Sequence, residues 1–88
     1  MALPVKLGPG MLSIYGDGSI NGIMVVKDSA NVVFGVINDA YYIQGGYTVG
    51  QSVLYNRNDS VEIMYDNTSF YIVPSDKIVL VENPLEEL

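Results

Sequence analysis

The C-terminal part of the chain constrains the fold most, because it predicts short β-strands separated by tight turns. Runs rich in Val, Ile and Tyr alternate there with Gly, Asn and Asp, a pattern typical of a small barrel or sandwich. We expect an all-β fold, a small β-barrel of short antiparallel strands, since closure would leave no sheet edge exposed. The predicted strands are residues 49–55, 61–65, 68–73 and 78–81, with a turn at 66–67 and a break at 74–77.

The N-terminal half has a similar strand-and-turn composition, and it lacks the periodicity of an amphipathic helix. Gly35 lies within an apolar run and predicts a bulge or a bend. Pro4 is compatible with an edge strand, which can spare one backbone donor. The predicted elements are strands at residues 3–7, 11–15 and 32–37, a turn at 38–39, and a hairpin-like segment around 44–46.

The residue types that the chain lacks exclude several kinds of chemistry. Its 88 residues predict a single domain, residues 1–88. It has no cysteine and no histidine, which removes thiolate metal sites, disulfides and histidine-dependent nucleophiles. Nearly all aspartates stand beside Gly, Asn or Ser in predicted turns, where they are common for backbone reasons. We therefore expect no enzyme, no metal and no cofactor.

The charge balance argues against nucleic acid as a partner. Ten acidic residues against four basic ones give a formal net charge of −6, which repels phosphate. No apolar stretch approaches the roughly 20 residues of a membrane helix, and the N-terminus does not resemble a signal peptide. We expect a cytoplasmic protein that binds neither nucleic acid nor membrane.

Four segments occur in an order that bears on function. Residues 21–25 place a glycine before an aliphatic tripeptide, and residues 33–37 form a Val-Phe-Gly-Val-Ile strand. Residues 49–55 carry a Val-Gly-x-x-Val strand entry, and residues 71–82 combine a strand, an Asp step and a terminal strand. In this order they resemble the small-chaperonin (co-chaperonin, GroES-like) family. The resemblance implies a small GroES-like β-barrel.

The chain also departs from that family's pattern. The family's opening strand has no clear counterpart before Gly22, although residues 11–15 could fill that role in shortened form. Gln51 stands where the family prefers aspartate, and the roof region is replaced by a short, tyrosine-rich stretch at 39–48. These departures suit a diverged relative encoded by a phage, acting in the host cytoplasm.

The resemblance implies a lid that caps a large ATP-driven chaperonin and itself hydrolyses nothing. In the family a mobile loop presents aliphatic side chains to the ATP-bound chaperonin ring, and here Ile23, Met24 and Val25 match that position. The alternative is that residues 23–26 form a buried barrel strand. The second function to consider is a structural subunit of a phage particle or another assembly built from a small β-barrel.

The resemblance also implies a homo-oligomer, a heptameric ring in which the last strand of one subunit pairs with the first strand of its neighbour. The interface residues would be Ile78, Val79, Leu80 and Val81. Their partner would lie in residues 3–7 or 11–15, unless these strands pair within one subunit. A cluster at Tyr41, Tyr42 and Tyr47 could contact a client protein or pack on its own barrel.

Overall fold

The computed structural model describes residues 3–26, 31–41 and 47–83. Within these ranges the regular structure is six β-strands and two short 3-10 turns, so the all-β prediction is confirmed. The 3-10 turns are Arg57–Asp59 and Ser75–Lys77. The strands are β1 (Met11–Tyr15), β2 (Val32–Ala40), β3 (Ser52–Asn56), β4 (Val61–Tyr65), β5 (Thr68–Pro74) and β6 (Ile78–Val81).

All six strands belong to one antiparallel sheet in the order β4-β5-β1-β2-β3-β6. The first strand in sequence therefore lies in the middle of the sheet, between β5 and β2. The two ends are β4 and β6, and no pairing between them occurs among the described strands. Closure into a barrel therefore stays a prediction. None of the described residues form a helix long and apolar enough to cross a membrane.

A cluster of fully buried side chains covers one face of the central strands. Leu12 and Ile14 share this face because alternate residues of a strand point the same way. Fully burying such a side chain contributes about 1.5–3 kcal/mol, so this layer is the main source of stability. The buried cluster consists of Leu12, Ile14, Ile37, Val53, Tyr55 and Val73.

The opposite face carries a second contact, in which the rings of Tyr15 and Phe70 stack with centroids 5.6 Å apart. Phe70 is completely buried. The β4–β5 hairpin that continues from there is joined by Asp66 and Asn67, whose φ angles are 53° and 63°. Two consecutive left-handed residues define a type I′ turn, which follows the strand twist. The predicted turn at this point is confirmed.

Several predicted boundaries are wrong. β2 continues through Asn38 and Asp39, where a turn was expected, because Asn38 is an extra residue opposite the Ser13–Ile14 step of β1. The bulge lies there and not at Gly35. Residues 3–7 form no strand, and β3 begins at Ser52 because residues 48–51 form a turn. The hairpin expected around 44–46 lies outside the described residues.

Gly35 is required for close packing between the central strands. A Cβ atom at this position would overlap Ile14 Cγ2 and would lie 3.2 Å from Tyr55 Cε1. Both of these neighbours are fully buried, so neither can move away without disturbing the core. The glycine therefore lets β1 and β3 pack side chains over β2.

Gly35→Ala is expected to lower the free energy of unfolding by about 1–3 kcal/mol, because the methyl group overpacks a filled core. Urea denaturation followed by circular dichroism measures the change. Gly8→Ala is the matched control, since its Cβ would lie 3.9 Å from Met11 Cγ, an ordinary contact. Equal stability of the two variants would contradict the packing described for Gly35.

Candidate functional site

An apolar stretch between β1 and β2 lies at the surface and not in the sheet. We call residues 20–26 the exposed segment. Met24 is 88 % exposed and Val26 70 %, while Ile23 is 43 % exposed. None of these residues is in a strand. The alternative that residues 23–26 form a buried barrel strand is therefore wrong.

A tight turn sets the aliphatic residues off from the preceding chain. The Ile23 amide donates to the Ile20 carbonyl at 3.0 Å, which closes a four-residue turn. Gly22, the third residue of this turn, has a φ of 85°. A type II turn needs a φ near +80° at this position, which favours glycine. The Asn21-Gly22 pair thus fixes where the aliphatic residues begin to project.

The structure brings the three predicted docking residues together at one surface. Ile23 and Met24 are exposed, and Val25 is half-buried. Val26 was not among the predicted docking residues, although it is more exposed than Ile23. The signal for it was present, because it continues the same uninterrupted apolar run.

The four residues of β6, the predicted interface strand, differ in how deeply they are buried. Ile78 and Val81 are half-buried and pack against the core cluster, whereas Val79 and Leu80 are exposed. β6 pairs with β3 on one side. No described strand occupies its other edge, so its outward backbone groups can accept a further strand.

The predicted partners of this edge need one correction. Met11–Tyr15 cannot pair with a neighbouring subunit, because both of its edges are already occupied, by β2 and by β5. Residues 3–7 have no strand partner among the described residues, and Val5 is 58 % exposed while Leu7 is buried. Of the two predicted partners, only residues 3–7 keep a backbone that can pair.

Polar contacts join the end of β6 to the start of β3. The Glu82 amide donates to the Ser52 carbonyl at 2.9 Å, and the Glu82 carboxylate accepts the Ser52 amide at 3.1 Å. The Gln51 side-chain amide donates to the Glu82 carbonyl, and its oxygen accepts the Thr48 amide at 2.7 Å. The Gln51 side chain makes both contacts because an amide can donate as well as accept.

Tyr47, a member of the tyrosine cluster, has an internal role. Its hydroxyl donates to the Ser75 carbonyl at 2.9 Å, and its ring packs against the core cluster. Burial, with a smaller effect of Asp76, raises the pKa of Tyr47 above its usual value. Tyr41 is exposed, and Tyr42 lies outside the described residues. Of the two roles considered for this cluster, Tyr47 therefore has the internal one, packing within its own fold.

A shallow cleft of about 330 Å³ lies where the β4–β5 turn meets the end of β1. It contains one carboxylate, that of Asp17, so it does not present the pair that acid–base hydrolysis uses. Among the residues that the structure describes, no three acidic side chains converge as a metal site would require. The cleft is lined by Gly16, Asp17, Arg57, Asn67, Thr68, Ser69 and Tyr71.

Arg57 lines this cleft, and its side chain also interacts with Tyr71 and Tyr55. Its guanidinium carbon lies 4.4 Å from the centroid of the Tyr71 ring, a cation–π distance. The interaction of its side chain with Tyr55, which outweighs the opposing effect of burial, raises the pKa of Arg57. The pKa of Tyr55 itself is raised, because burial outweighs the opposing effect of Arg57. The Tyr71 hydroxyl donates to Glu62 at 3.4 Å.

The comparisons with known proteins add no functional assignment. No protein-family model matches this chain, and no curated protein matches it at a significant level. The resemblance in the four sequence segments stays a prediction, and the structural features that bear on function are the exposed segment and the free edge of β6.

Arg57→Met is expected to lower the free energy of unfolding by about 1–2 kcal/mol, because the Tyr71 ring loses its cation–π contact and Tyr55 loses its interaction with the guanidinium. Lys6→Met, which removes an exposed charge elsewhere, is the control. In a double-mutant cycle with Tyr55→Phe, measured by urea denaturation, the two changes should be non-additive. Strict additivity would show that Arg57 and Tyr55 do not stabilise the fold through an interaction with each other.

Proposed function

We propose that this protein is a co-chaperonin-like ring subunit that caps a large ATP-driven chaperonin and assists protein folding. The observation that supports the proposal is the exposed segment, in which Ile23, Met24 and Val26 expose apolar side chains after a tight turn. Single exposed apolar residues are ordinary on protein surfaces, but a contiguous apolar run is typical of an interaction site. We expect the partner to be a larger protein with an apolar groove that receives this segment.

The binding of one segment is expected to be weak. Transferring Met24 or Ile23 from water into a groove contributes about 1.5–3 kcal/mol for each side chain. Part of this is lost because the segment must become ordered on docking. A ring of seven subunits presents seven segments at once, so avidity supplies the affinity that one copy lacks. The ATP chemistry belongs to the chaperonin, and the lid needs no catalytic group or cofactor.

The free edge of β6 supports assembly into such a ring. Residues 3–7 of a neighbouring copy can add a strand to this edge, with backbone hydrogen bonds giving affinity and Val79 and Leu80 giving apolar contact. An arrangement in which one edge meets a different surface of the next copy closes into a ring when the rotation allows it. A seven-membered ring is the form that we propose.

A second candidate function is a structural subunit of a phage particle or a similar assembly. The observation that favours it is the edge strand β4, where Val61 is 65 % and Met64 69 % exposed. Tyr65, also on β4, is exposed as well. A lid that docks through the exposed segment does not use these side chains. A decoration or spacer subunit would use them to contact another protein.

Met24→Ser is expected to abolish ATP-dependent co-elution with a large chaperonin ring, because every subunit loses its most exposed docking side chain. Met64→Ser is the matched control, since it removes another exposed methionine, from β4. Size-exclusion chromatography with and without ATP measures the association. If both variants and the parent protein fail to associate under all nucleotide conditions, the chaperone role is excluded. Loss with Met64→Ser alone would place the chaperonin contact on β4 and not on the exposed segment.

Val79→Asp is expected to dissociate the ring into protomers, because a charge beside the free edge of β6 opposes pairing. Native mass spectrometry counts the subunits. Val49→Asp is the control, since Val49 and Val79 are each 55 % exposed. A sevenfold ring in the parent protein that survives in both variants would place the subunit contact away from β6.

A further inference from the structure

We propose that Gly18 and Ser52 are positioning residues, which hold the chain immediately before the exposed segment against the sheet. The inference rests on the proposed docking function of that segment, and it assigns a role to two residues outside the docking surface itself. It predicts that docking depends on the fixed origin of the segment as well as on its aliphatic side chains.

Gly18 approaches the backbone of β2 more closely than any other residue type could. A Cβ atom on Gly18 would lie 2.6 Å from the Gly35 carbonyl oxygen and 2.9 Å from its carbon. It would also lie 3.1 Å from Ser52 Oγ. Backbone atoms of a central strand cannot move aside as a flexible side chain can. A larger residue at position 18 must therefore lift the chain away from the sheet.

Ser52 supplies the second contact of this anchor. Its hydroxyl oxygen accepts the Ser19 amide at 3.4 Å, one residue before the turn that begins at Ile20. Ser52 is itself buried, and its backbone is fixed in both directions by Glu82. The acceptor for Ser19 thus belongs to the rigid part of the fold.

The consequence is that the chain stays in contact with the sheet as far as Ser19 and leaves it from Ile20, not from the end of β1. Without the anchor, residues 16–19 would also have to become ordered when the segment docks, at a cost in entropy for each residue. The anchor removes that cost before the partner is met, which is how preorganisation increases affinity. It also fixes the direction in which Met24 leaves the surface.

Gly18→Ala tests the role of the anchor, with Gly8→Ala as the matched control. Amide hydrogen exchange at Ser19 and Ile23 reports on the anchor and needs no partner. Titration with an ATP-loaded chaperonin ring reports on docking, and the melting temperature reports on the whole fold. We expect faster exchange at both amides and docking weaker on the order of tenfold, since preorganisation is lost. Gly8→Ala should match the parent protein in all three measurements.

Ser52→Ala is the second variant, because it removes the hydrogen-bond acceptor of Ser19 without adding volume. It therefore tests the anchor even if Gly18→Ala does not fold. Unchanged exchange at Ser19 in the folded variants would overturn the anchor. Faster exchange with unchanged docking would overturn the positioning role. If the parent protein itself does not dock, the proposed function fails as well, and the exchange data alone then decide whether the anchor exists.

Discussion

The close packing around Gly35 is the contact on which the other features of this protein depend. One side of this glycine receives the side chains of Ile14 and Tyr55, and its carbonyl meets the backbone of Gly18. β1, β2 and β3 can approach one another closely at this point because residue 35 has no side chain. The core forms on one face of this contact, and the chain leaves the sheet beside it. We therefore expect Gly35 to tolerate few substitutions, because it affects both the packing of the core and the path of the chain at Gly18.

The strand content could be predicted from the sequence, because Val, Ile and Tyr runs between turn residues leave few alternatives. The hairpin around Asp66 and Asn67 is the best example, since local chemistry alone specifies it. The bulge at Asn38 could not be predicted in the same way. It depends on the pairing of β2 with β1, which lies far away in the chain, and so the local turn signal of Asn38-Asp39 was misleading. The burial of Gly35 between Ile14 and Tyr55 is likewise a tertiary property.

The candidate site was predicted only in part. The apolar run at residues 23–26 fits a buried strand as well as an exposed segment, because periodicity cannot distinguish them in so short a stretch. The exposure of Met24 decides between the two. The central place of β1 was not expected either, since the first strand of a chain can lie at an edge or in the middle. The anchor at Gly18 leaves no sequence signal apart from a glycine among several in a loop.

The contacts of Glu82 have a consequence for how a subunit responds to its neighbours. This residue follows β6 directly, it holds Ser52 by two hydrogen bonds, and Ser52 in turn holds Ser19. In the ring that we propose, a displacement of β6 on pairing would therefore reach the base of the exposed segment through Glu82 and Ser52 alone. Strand addition at β6 and the orientation of the exposed segment would then be mechanically coupled, so an isolated protomer need not orient its segment as an assembled one would.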